Sequence, residues 1–553
     1  MTVNSNIGQL QLDNALSSEK FRGNVPETIR NAMRVVEVIQ ERYLWVDCLC
    51  ILQDDESTRQ VQLNNMSAIY AKACVTIIAA QGPDAQYGLR GFKGISQPRK
   101  LDQEVWSLTK GEKLIECQFS EPDTVEKDSP WYNRCWTFQE YLYSRRRIIF
   151  EADTVRWECD HAVWYEDVYE TDASLKKVPL RKHWTYISRQ QFHLAVAFPN
   201  LSGYGELVRA YNSKKLTHPE DALAAFAGVT TEFSRIYDGG FNCGLPEMFF
   251  DVALLWQPWR NIERRISSGA RSTNSCLPSW SWAGWHGEID PWSWQSGCDY
   301  IKTSLPAGGS LTSQRTIPIL QWYSSDNVHS ERRPIFSNWL TFKSCLRAPE
   351  ELMQDGWSRH EHRPDNYGDL EDGLAPHEGS RFYYKHTLFP LTQFWYPIPL
   401  RDHKTESTPR HPAPLLFTRT CRAWFCIGAR VHKVWYFCVP IRDANGAWAG
   451  ILRIPNEEIL ARTRLEEGDT VTKSRSLEFI ALSRGCADES RKEEPGLDEW
   501  LLEERPTTEG LYEFYNVMWI EWENGIAYRR ALGRILRDVW EGQNLEWVDV
   551  TLG

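Results

Sequence analysis

The chain contains 553 residues, more than one hydrophobic core usually serves, which predicts two or three domains. The net charge is -11, from 63 basic and 74 acidic residues, which argues against a general nucleic-acid binder and against an anionic membrane surface as a partner. The apolar runs are far shorter than the ~20 residues of a membrane helix. The 14 cysteines show no zinc-type spacing, and the polar start lacks a signal sequence. We therefore expect a soluble cytoplasmic protein with reduced thiols and no metal site.

Residues 1–24 read as a polar N-terminal segment, and helical spacing of apolar residues predicts a helix over Pro26–Arg42. The run YLWVDCLCIL, Tyr43–Leu52, is short, apolar and rich in β-forming residues, which predicts a buried strand that contains Asp47. Asp54 and Asp55 follow it. They would lie beyond the carboxyl end of that strand, where ligands usually bind in open α/β sheets, and at least one of them is expected to cap the next helix.

That next helix carries Val61, Met66 and Tyr70 at apolar positions and leads to a strand over Cys74–Ala80. Strand, helix and strand in this order predict a parallel sheet. Gly82-Pro83 then ends the pattern.

The segment SPWYNRCWTFQEYLYSRRRIIF, Ser129–Phe150, predicts a helix that begins at the Ser-Pro pair and is followed by a strand. Glu140 lies one helical turn beyond Trp136 and shares its face, so a carboxylate is expected beside a large aromatic ring. This arrangement has two interpretations. In the first, Glu140 is catalytic. In the second, it forms a buried ion pair with one of the basic residues Arg134, Arg145, Arg146 and Arg147.

The rest of the chain divides into a mainly helical region over 171–275 and a mixed α+β, aromatic-rich region over 276–553 with many strands. Exposed loops are expected near 354–380 and 488–504, where polar and charged residues show no periodicity. Three tryptophans, Trp280, Trp282 and Trp285, indicate a packing seam in a strand-like setting, with a ligand-stacking platform as the alternative.

Several motifs resemble the fungal heterokaryon-incompatibility (HET) domain: YLWVDCLCILQDD, NNMSAIYAKACVTIIAA, GPDAQYGLRG and RCWTFQEYLYSRRRIIF, in this order. The resemblance covers about Val25–Phe150 and is patchier beyond it, and it implies a HET domain over residues 25–170. It implies an α/β fold with a parallel sheet. Family members usually begin with a strand of the type Tyr-x-x-Leu-Ser-Tyr-x-Trp-Gly, and nothing before Val25 matches it. We therefore expect this sheet to lack its first strand.

HET domains are in turn similar to Toll/interleukin-receptor (TIR) domains, which have a flavodoxin-like sheet. By that likeness, Glu140 corresponds to the glutamate of NAD-cleaving members. A carboxylate can stabilise or trap the oxocarbenium-like cation that forms when a nicotinamide glycosidic bond breaks. Trp136 would offer a ring face, Arg134 would bind a phosphate, and Asp47 would contact a ribose hydroxyl, each with a purely structural alternative. NAD would be a substrate, and no cofactor is implied.

Three functions remain open at this stage. The first is a protein of fungal nonself recognition whose HET domain triggers cell death through NAD cleavage. The second is a non-enzymatic signalling module in which Glu140 is structural. The third is a truncated, inactive family member. The resemblance also implies a protein partner in allorecognition and self-association through the HET domain.

Overall fold

A computed structural model of the chain describes most of its residues: 1–99, 104–109, 112–115, 129–151, 154–160, 162–166, 198–267, 277–304, 312–343, 353, 355–361, 382–401, 412–431, 436–463, 476–490, 494, 496–507 and 510–553. Two compact units are present, and neither is continuous in sequence. Unit 1 comprises Met1–Gln191, Lys214–Leu216 and Ala224–Gly228, and unit 2 comprises Phe192–Ser213, Thr217–Leu223 and Val229–Gly553. Among the described residues, no helix has both the length and the apolar character needed to span a membrane.

The described part of unit 1 contains helices, one small sheet and a separate hairpin. Its helices are α1 Ile7–Leu10, α2 Glu19–Arg22, α3 Glu27–Val38, α4 Asp47–Cys50, α5 Glu56–Lys72 and α6 Trp136–Tyr143. Its strands are β1 Thr76–Ala79, β2 Val105–Thr109, β3 Glu112–Ile115, β4 Arg146–Glu151, β5 Thr154–Cys159 and β6 Val163–Tyr165.

The sheet of unit 1 is mixed, with the order β1-β4-β5-β6. β1 runs parallel to β4, with Ile77 opposite Ile148, whereas β5 and β6 are antiparallel to their neighbours. The prediction of a parallel sheet is therefore correct for one pair only. Two residues separate β4 from β5, and so short a connection allows only an antiparallel hairpin. β1 forms one end of the sheet, and β4 is its one partner among the described residues.

The prediction of a strand over Tyr43–Leu52 is wrong. Residues 41–46 lie in no helix or strand, and α4 occupies Asp47–Cys50. The backbone of this stretch bonds to the N-terminal segment instead of to a sheet, because the Thr2 amide donates to the Cys48 carbonyl and the Gln53 amide donates to the Thr2 carbonyl. Asp47 thus begins a helical turn, and its carboxylate accepts a hydrogen bond from the Cys48 amide.

The other predicted elements before residue 81 are confirmed with shorter bounds. α3 and β1 form within Pro26–Arg42 and Cys74–Ala80. Asp55 caps α5, because its carboxylate accepts hydrogen bonds from the Ser57 and Thr58 amides. Asp54 instead accepts hydrogen bonds from Asn4. The buried core around β1 and β4 consists of two clusters of residues: Ile78, Ala80, Tyr132, Tyr141 and Ile149, and Ala32, Val35, Leu89 and Phe150.

The C-terminal region is strand-rich and aromatic-rich, as predicted. The helices that follow α6 are α7 Leu201–Asn212, α8 Ala227–Phe233, α9 Phe250–Ala253, α10 Glu457–Ala461 and α11 Arg537–Glu541. The short strands are β7 Phe241–Asn242, β8 Leu245–Pro246, β9 Gln257–Pro258, β10 Glu263–Arg264, β11 Trp285–His286, β12 Ile289–Asp290, β13 Ile301–Ser304, β14 Arg315–Pro318, β15 Tyr323–Ser325, β16 Arg333–Pro334, β17 Trp357–Glu361, β18 Phe382–His386 and β19 Phe389–Phe394. The longer strands are β20 Leu415–Ile427, β21 Cys438–Arg442, β22 Trp448–Arg453, β23 Leu477–Asp488, β24 Leu511–Glu523, β25 Ile526–Leu536 and β26 Glu546–Leu552.

The main sheet of unit 2 closes on itself. Its ladder runs β23-β24-β25-β22-β21-β20, and β20 also pairs with β23. Closure protects the backbone edges of these long strands, because an open edge would pair with other chains. The three tryptophans Trp280, Trp282 and Trp285 are fully buried in this unit, which confirms the packing seam and excludes a stacking platform.

Two predicted loops are corrected. Near 488–504, Glu494, Asp498 and Glu499 are buried. Asp498 forms an ion pair with Arg453, and Glu499 forms one with Arg534, so the acids of this run balance buried arginines. Near 354–380, strand β17 pairs with β18, whereas residues 362–380 lie outside the described residues.

Candidate functional site

Helix α6 carries Glu140 and begins later than its sequence predicts. Ser129 does not start the helix, because its hydroxyl donates to the Ala80 carbonyl at 2.6 Å and residues 130–133 form turns. The helix begins at Trp136, where the Thr137 hydroxyl lies 2.8 Å from the Arg134 carbonyl. It ends at Tyr143, and the following Ser144 hydroxyl donates to the Thr76 side chain of β1 at 2.7 Å. The last turn of α6 is thus held against β1.

The face of α6 that does not carry Glu140 is fixed by later parts of the chain that belong to unit 1. The Gln139 side-chain amide donates to the Ala225 carbonyl at 2.6 Å, and its oxygen accepts from the Gly228 amide at 3.2 Å. Phe138 stacks on Phe226 with ring centroids 6.1 Å apart. Because these contacts fix the rotation of the helix, they also fix the direction in which Glu140 projects.

Glu140 lines a cavity of about 600 Å³ in unit 1. Helices α3 and α5, strand β1 and the stretch before α4 form its walls. The lining residues are Thr28, Ile29, Ala32, Val36, Ile39, Glu41, Tyr43, Leu44, Trp45, Val46, Asp47, Ile69, Tyr70, Lys72, Ala73, Cys74, Val75, Thr76, Ile77, Ala79, Arg134 and Glu140. The cavity combines an apolar wall with a small polar group, a composition typical of small-molecule sites.

The polar group of the cavity consists of Asp47, Tyr70, Arg134 and Glu140. Burial raises the pKa of Glu140 to about 7, against the attraction of Arg134 and with a further increase from Asp47. Hydrogen bonding from the side chains of Trp131 and Tyr70 lowers the pKa and limits the increase. Glu140 therefore exchanges its proton near neutral pH, a property that places a carboxyl group among candidates for catalysis.

Tyr70 is held in the same electrostatic environment. Burial raises the pKa of its phenol well above the ordinary value, and the charges of Glu140 and Asp47 raise it further. The phenol therefore stays protonated and can donate a hydrogen bond to the carboxylate. Its ring also contacts Trp45 edge to face, with centroids 5.6 Å apart, which limits its movement in the cavity.

The structure brings together three of the four residues that the sequence proposed for this site. Asp47, Arg134 and Glu140 line one cavity, whereas Trp136 is not among its lining residues. Among the described residues, none forms an ion pair within 4 Å of Glu140, and Arg134 is the cation whose charge acts on it. The residues that sequence reasoning missed are Tyr70 and Trp131. The helical spacing placed Tyr70 on an apolar face, where its hydroxyl gave no signal.

No group of three potential metal ligands occurs in the part of the chain that the structure describes. Cys48 and Cys74 lie near the cavity without forming such a group. Burial raises the pKa of the Cys48 thiol above the ordinary value, and partial desolvation together with the nearby Glu41 raises the pKa of the more exposed Cys74 thiol. Both shifts disfavour the thiolate needed for nucleophilic attack. The titratable group suited to chemistry at neutral pH in this cavity is therefore Glu140.

The described part of unit 1 is an α/β unit with a mixed sheet, and Glu140 lines its cavity. Residues 4–140 match the model of the family described as heterokaryon incompatibility protein (HET). The chain therefore carries a HET domain, and the match ends at Glu140. Comparison with curated proteins and with solved structures found no match.

Proposed function

We propose that the chain is a heterokaryon-incompatibility-type protein in fungal nonself recognition, whose HET domain triggers regulated cell death by cleaving the glycosidic bond of NAD⁺. The observation that carries the proposal is the placement of Glu140, a desolvated carboxyl group beside Arg134 and Asp47 in a cavity of about 600 Å³. The resemblance of the Ser129–Phe150 segment to the TIR segment that carries the glutamate of NAD-cleaving members supports the same chemistry.

In the proposed reaction, the bond between ribose C1′ and the nicotinamide nitrogen breaks. The bonding electrons leave with the nicotinamide, which becomes neutral, and the ribose develops positive charge. The Glu140 carboxylate either stabilises this cation or forms an ester bond to C1′; water then adds to C1′, displaces the carboxylate where an ester has formed, and releases a proton. The products are nicotinamide, ADP-ribose and H⁺. NAD⁺ and water supply all atoms, so no cofactor takes part.

The neighbours of Glu140 have distinct roles in this proposal. Arg134 binds a phosphate oxygen of the substrate, and Asp47 accepts a hydrogen bond from a ribose hydroxyl. Tyr70 and Trp131 orient the carboxylate through hydrogen bonds and are positioning residues. The cavity volume lies within the range of about 300–1,000 Å³ that is typical of sites for small ligands.

The test compares the purified full chain with its Glu140→Gln variant, and measures nicotinamide release from NAD⁺ by liquid chromatography. We expect release by the wild type and its loss in the variant. Glu41→Gln is the matched control, because Glu41 lines the same cavity but is not among the main causes of the raised pKa of Glu140. Equal nicotinamide release by the wild type and by Glu140→Gln would exclude a catalytic role for this residue.

A second measurement separates the enzyme from a non-enzymatic signalling module. The wild type and both variants are expressed in fungal cells, and cellular NAD⁺ and viability are followed together. We expect NAD⁺ to fall before viability does, and only with an intact Glu140. Cell death at unchanged NAD⁺ would contradict the enzymatic proposal and would leave the signalling module in its place.

A further inference from the structure

The sheet of unit 1 has an open edge beside the cavity. β1 pairs with β4 on one side and, among the described residues, with no strand on the other. Thr76, Ile77 and Ala79 of β1 line the cavity, and so do residues 43–46, which belong to no helix or strand. The N–H and C=O groups along such an edge form a template for the addition of another strand.

The same unit presents an exposed apolar hairpin, formed by β2 and β3. Every residue of β2 is exposed, and the large side chains Val105, Trp106 and Leu108 are 50%, 46% and 62% accessible. Trp106 stands opposite Leu114 of β3, which is 53% accessible, so the two side chains share one face. An isolated two-stranded hairpin is only marginally stable in water, and exposed apolar faces of this kind mark interaction sites.

The hairpin and the open edge have complementary properties. β2 offers an extended backbone with β-branched and aromatic side chains, and it pairs only with β3 among the described strands. The cavity beside β1 offers unpaired strand backbone and an apolar wall from α3 that includes Ile29, Ala32 and Val36. Addition of a strand to a sheet edge joins these features through main-chain hydrogen bonds, with pockets that receive alternate side chains.

We propose that the β2–β3 hairpin of one copy of the chain adds β2 to the free edge of β1 in a second copy, with its apolar side chains entering the cavity. The contact is heterologous, because donor and acceptor are different surfaces of the same unit. Such contacts join copies head to tail and produce either a closed ring or a filament. The strand would enter the same cavity that the proposed NAD⁺ chemistry uses, so the added strand and NAD⁺ are alternative occupants. The inference does not rest on that function and is tested without it.

The first test measures the molar mass of the full chain by size-exclusion chromatography with light scattering over a series of concentrations. The donor variant is Trp106→Lys/Leu108→Lys, and the acceptor variant is Ala79→Trp, which fills the cavity beside β1. We expect the mass of the wild type to rise with concentration and each variant to remain a monomer. Trp164→Lys is the matched control, because Trp164 is equally exposed, at 46%, and lies on β6 at the other end of the sheet.

Mixing the two variants gives a sharper result. The donor variant keeps an intact edge and the acceptor variant keeps an intact hairpin, so together they can form one contact. We expect the mixture to form dimers that do not grow further. A monomeric wild type at every concentration, association of either single variant like that of the wild type, or a monomeric mixture would overturn the proposal.

A cross-linking experiment covers the case in which Ala79→Trp fails to fold. Cys74 is exposed, lies two residues before the start of β1 and lines the cavity. In the Leu108→Cys variant, mild oxidation is expected to link the new thiol to Cys74 of a second copy, as identified by mass spectrometry. The Cys74→Ser background is the control and should abolish that product. If no linkage to Cys74 forms, the proposed contact is wrong.

Discussion

The Arg147 guanidinium lies 2.7 Å from the Glu158 carboxylate, and both side chains are buried. Arg147 also donates to the Tyr141 and Ser144 carbonyls at the end of α6, and its guanidinium stacks over the Tyr141 ring at 4.2 Å. Of the four arginines considered as partners of Glu140, Arg147 is the buried one, and it is thus committed to another carboxylate. Among the described residues, Glu140 consequently faces the cavity without an ion pair within 4 Å.

Loss of the Glu158 charge should strongly destabilise unit 1. Glu158→Gln leaves the Arg147 charge buried without its carboxylate, which typically costs about 3–5 kcal/mol. Urea unfolding, combined with hydrogen exchange of peptides from β4 and β5, measures the change. Glu37→Gln is the control, since the Arg34–Glu37 pair is exposed and such pairs contribute about 0–1 kcal/mol. Equal effects of the two variants would contradict this account of the buried pair.

The same pair should make the folding stability depend on pH in the acidic range. Burial alone would raise the pKa of Glu158, but Arg147 and Arg156 lower it below the ordinary value of 4.5. A carboxyl group with a lowered folded-state pKa stabilises the fold at pH values above 4.5, and that contribution is lost as the pH falls through the folded-state pKa. We expect the wild type to lose stability below pH 4.5 more steeply than Glu158→Gln does, as measured by urea unfolding across that range.

Glu140 should have the opposite effect on the pH dependence of folding stability. Its pKa in the folded chain is about 7, above the ordinary value of 4.5, so the folded state holds the proton more tightly. The contribution of Glu140 to stability is therefore greatest below pH 4.5 and is lost as the pH rises through about 7, by up to about 3 kcal/mol. Glu140→Gln should abolish this decrease and be more stable than the wild type at pH 8. A variant less stable than the wild type at pH 8 would show that ionised Glu140 stabilises the fold.

Two substitutions should move the pKa of Glu140 in opposite directions. Asp47→Asn removes a negative charge and lowers the pKa, whereas Arg134→Gln removes a positive charge and raises it. Carbon-13 NMR titration of glutamate-labelled protein reports the pKa directly, and the Glu140→Gln spectrum assigns the signal. If Glu140 is catalytic, the pH profile of nicotinamide release shifts with the same sign in each variant. Shifts of equal sign would show that these residues do not act through their charge.

The cap of α5 offers a separate test of the local structure. Asp55→Ala removes the carboxylate that accepts hydrogen bonds from the Ser57 and Thr58 amides, and should lower the thermal stability. Asp55→Asn keeps an acceptor oxygen and should retain most of the stability. Thermal unfolding followed by circular dichroism compares the three proteins, and equal losses in both variants would exclude the cap as the cause.

Periodicity and end signals predicted α3, α5 and β1, because these elements carry their own patterns in sequence. They did not predict α4. The run around Asp47 is short and apolar, so it fits a strand or a helical turn equally well, and its pairing with Thr2 decided the outcome. The antiparallel β4–β5 pair depended on the length of a connection and not on the helix–strand alternation that suggested a parallel sheet.

The candidate site was predicted where residues lie in recognisable motifs and missed where only the fold brings them together. Glu140, Arg134 and Asp47 belong to motifs that the sequence displays. Tyr70 occupies an apolar position of α5, and only the packing of α5 beside α6 places its hydroxyl near Glu140. The helical spacing predicted that Trp136 would lie beside Glu140. The indole that hydrogen-bonds to Glu140 instead belongs to Trp131, in the turn before the helix.

The anchoring of α6 by Ala225 and Gly228 sets a limit on how the HET domain can be excised. A fragment that ends at residue 140, where the family match stops, or at residue 191 would lack the carbonyl and amide that Gln139 binds and the ring on which Phe138 stacks. Removing those partners leaves a buried amide unsatisfied and an aromatic face in water. Proteolytic or recombinant fragments intended to retain the geometry of Glu140 should therefore extend at least through Gly228.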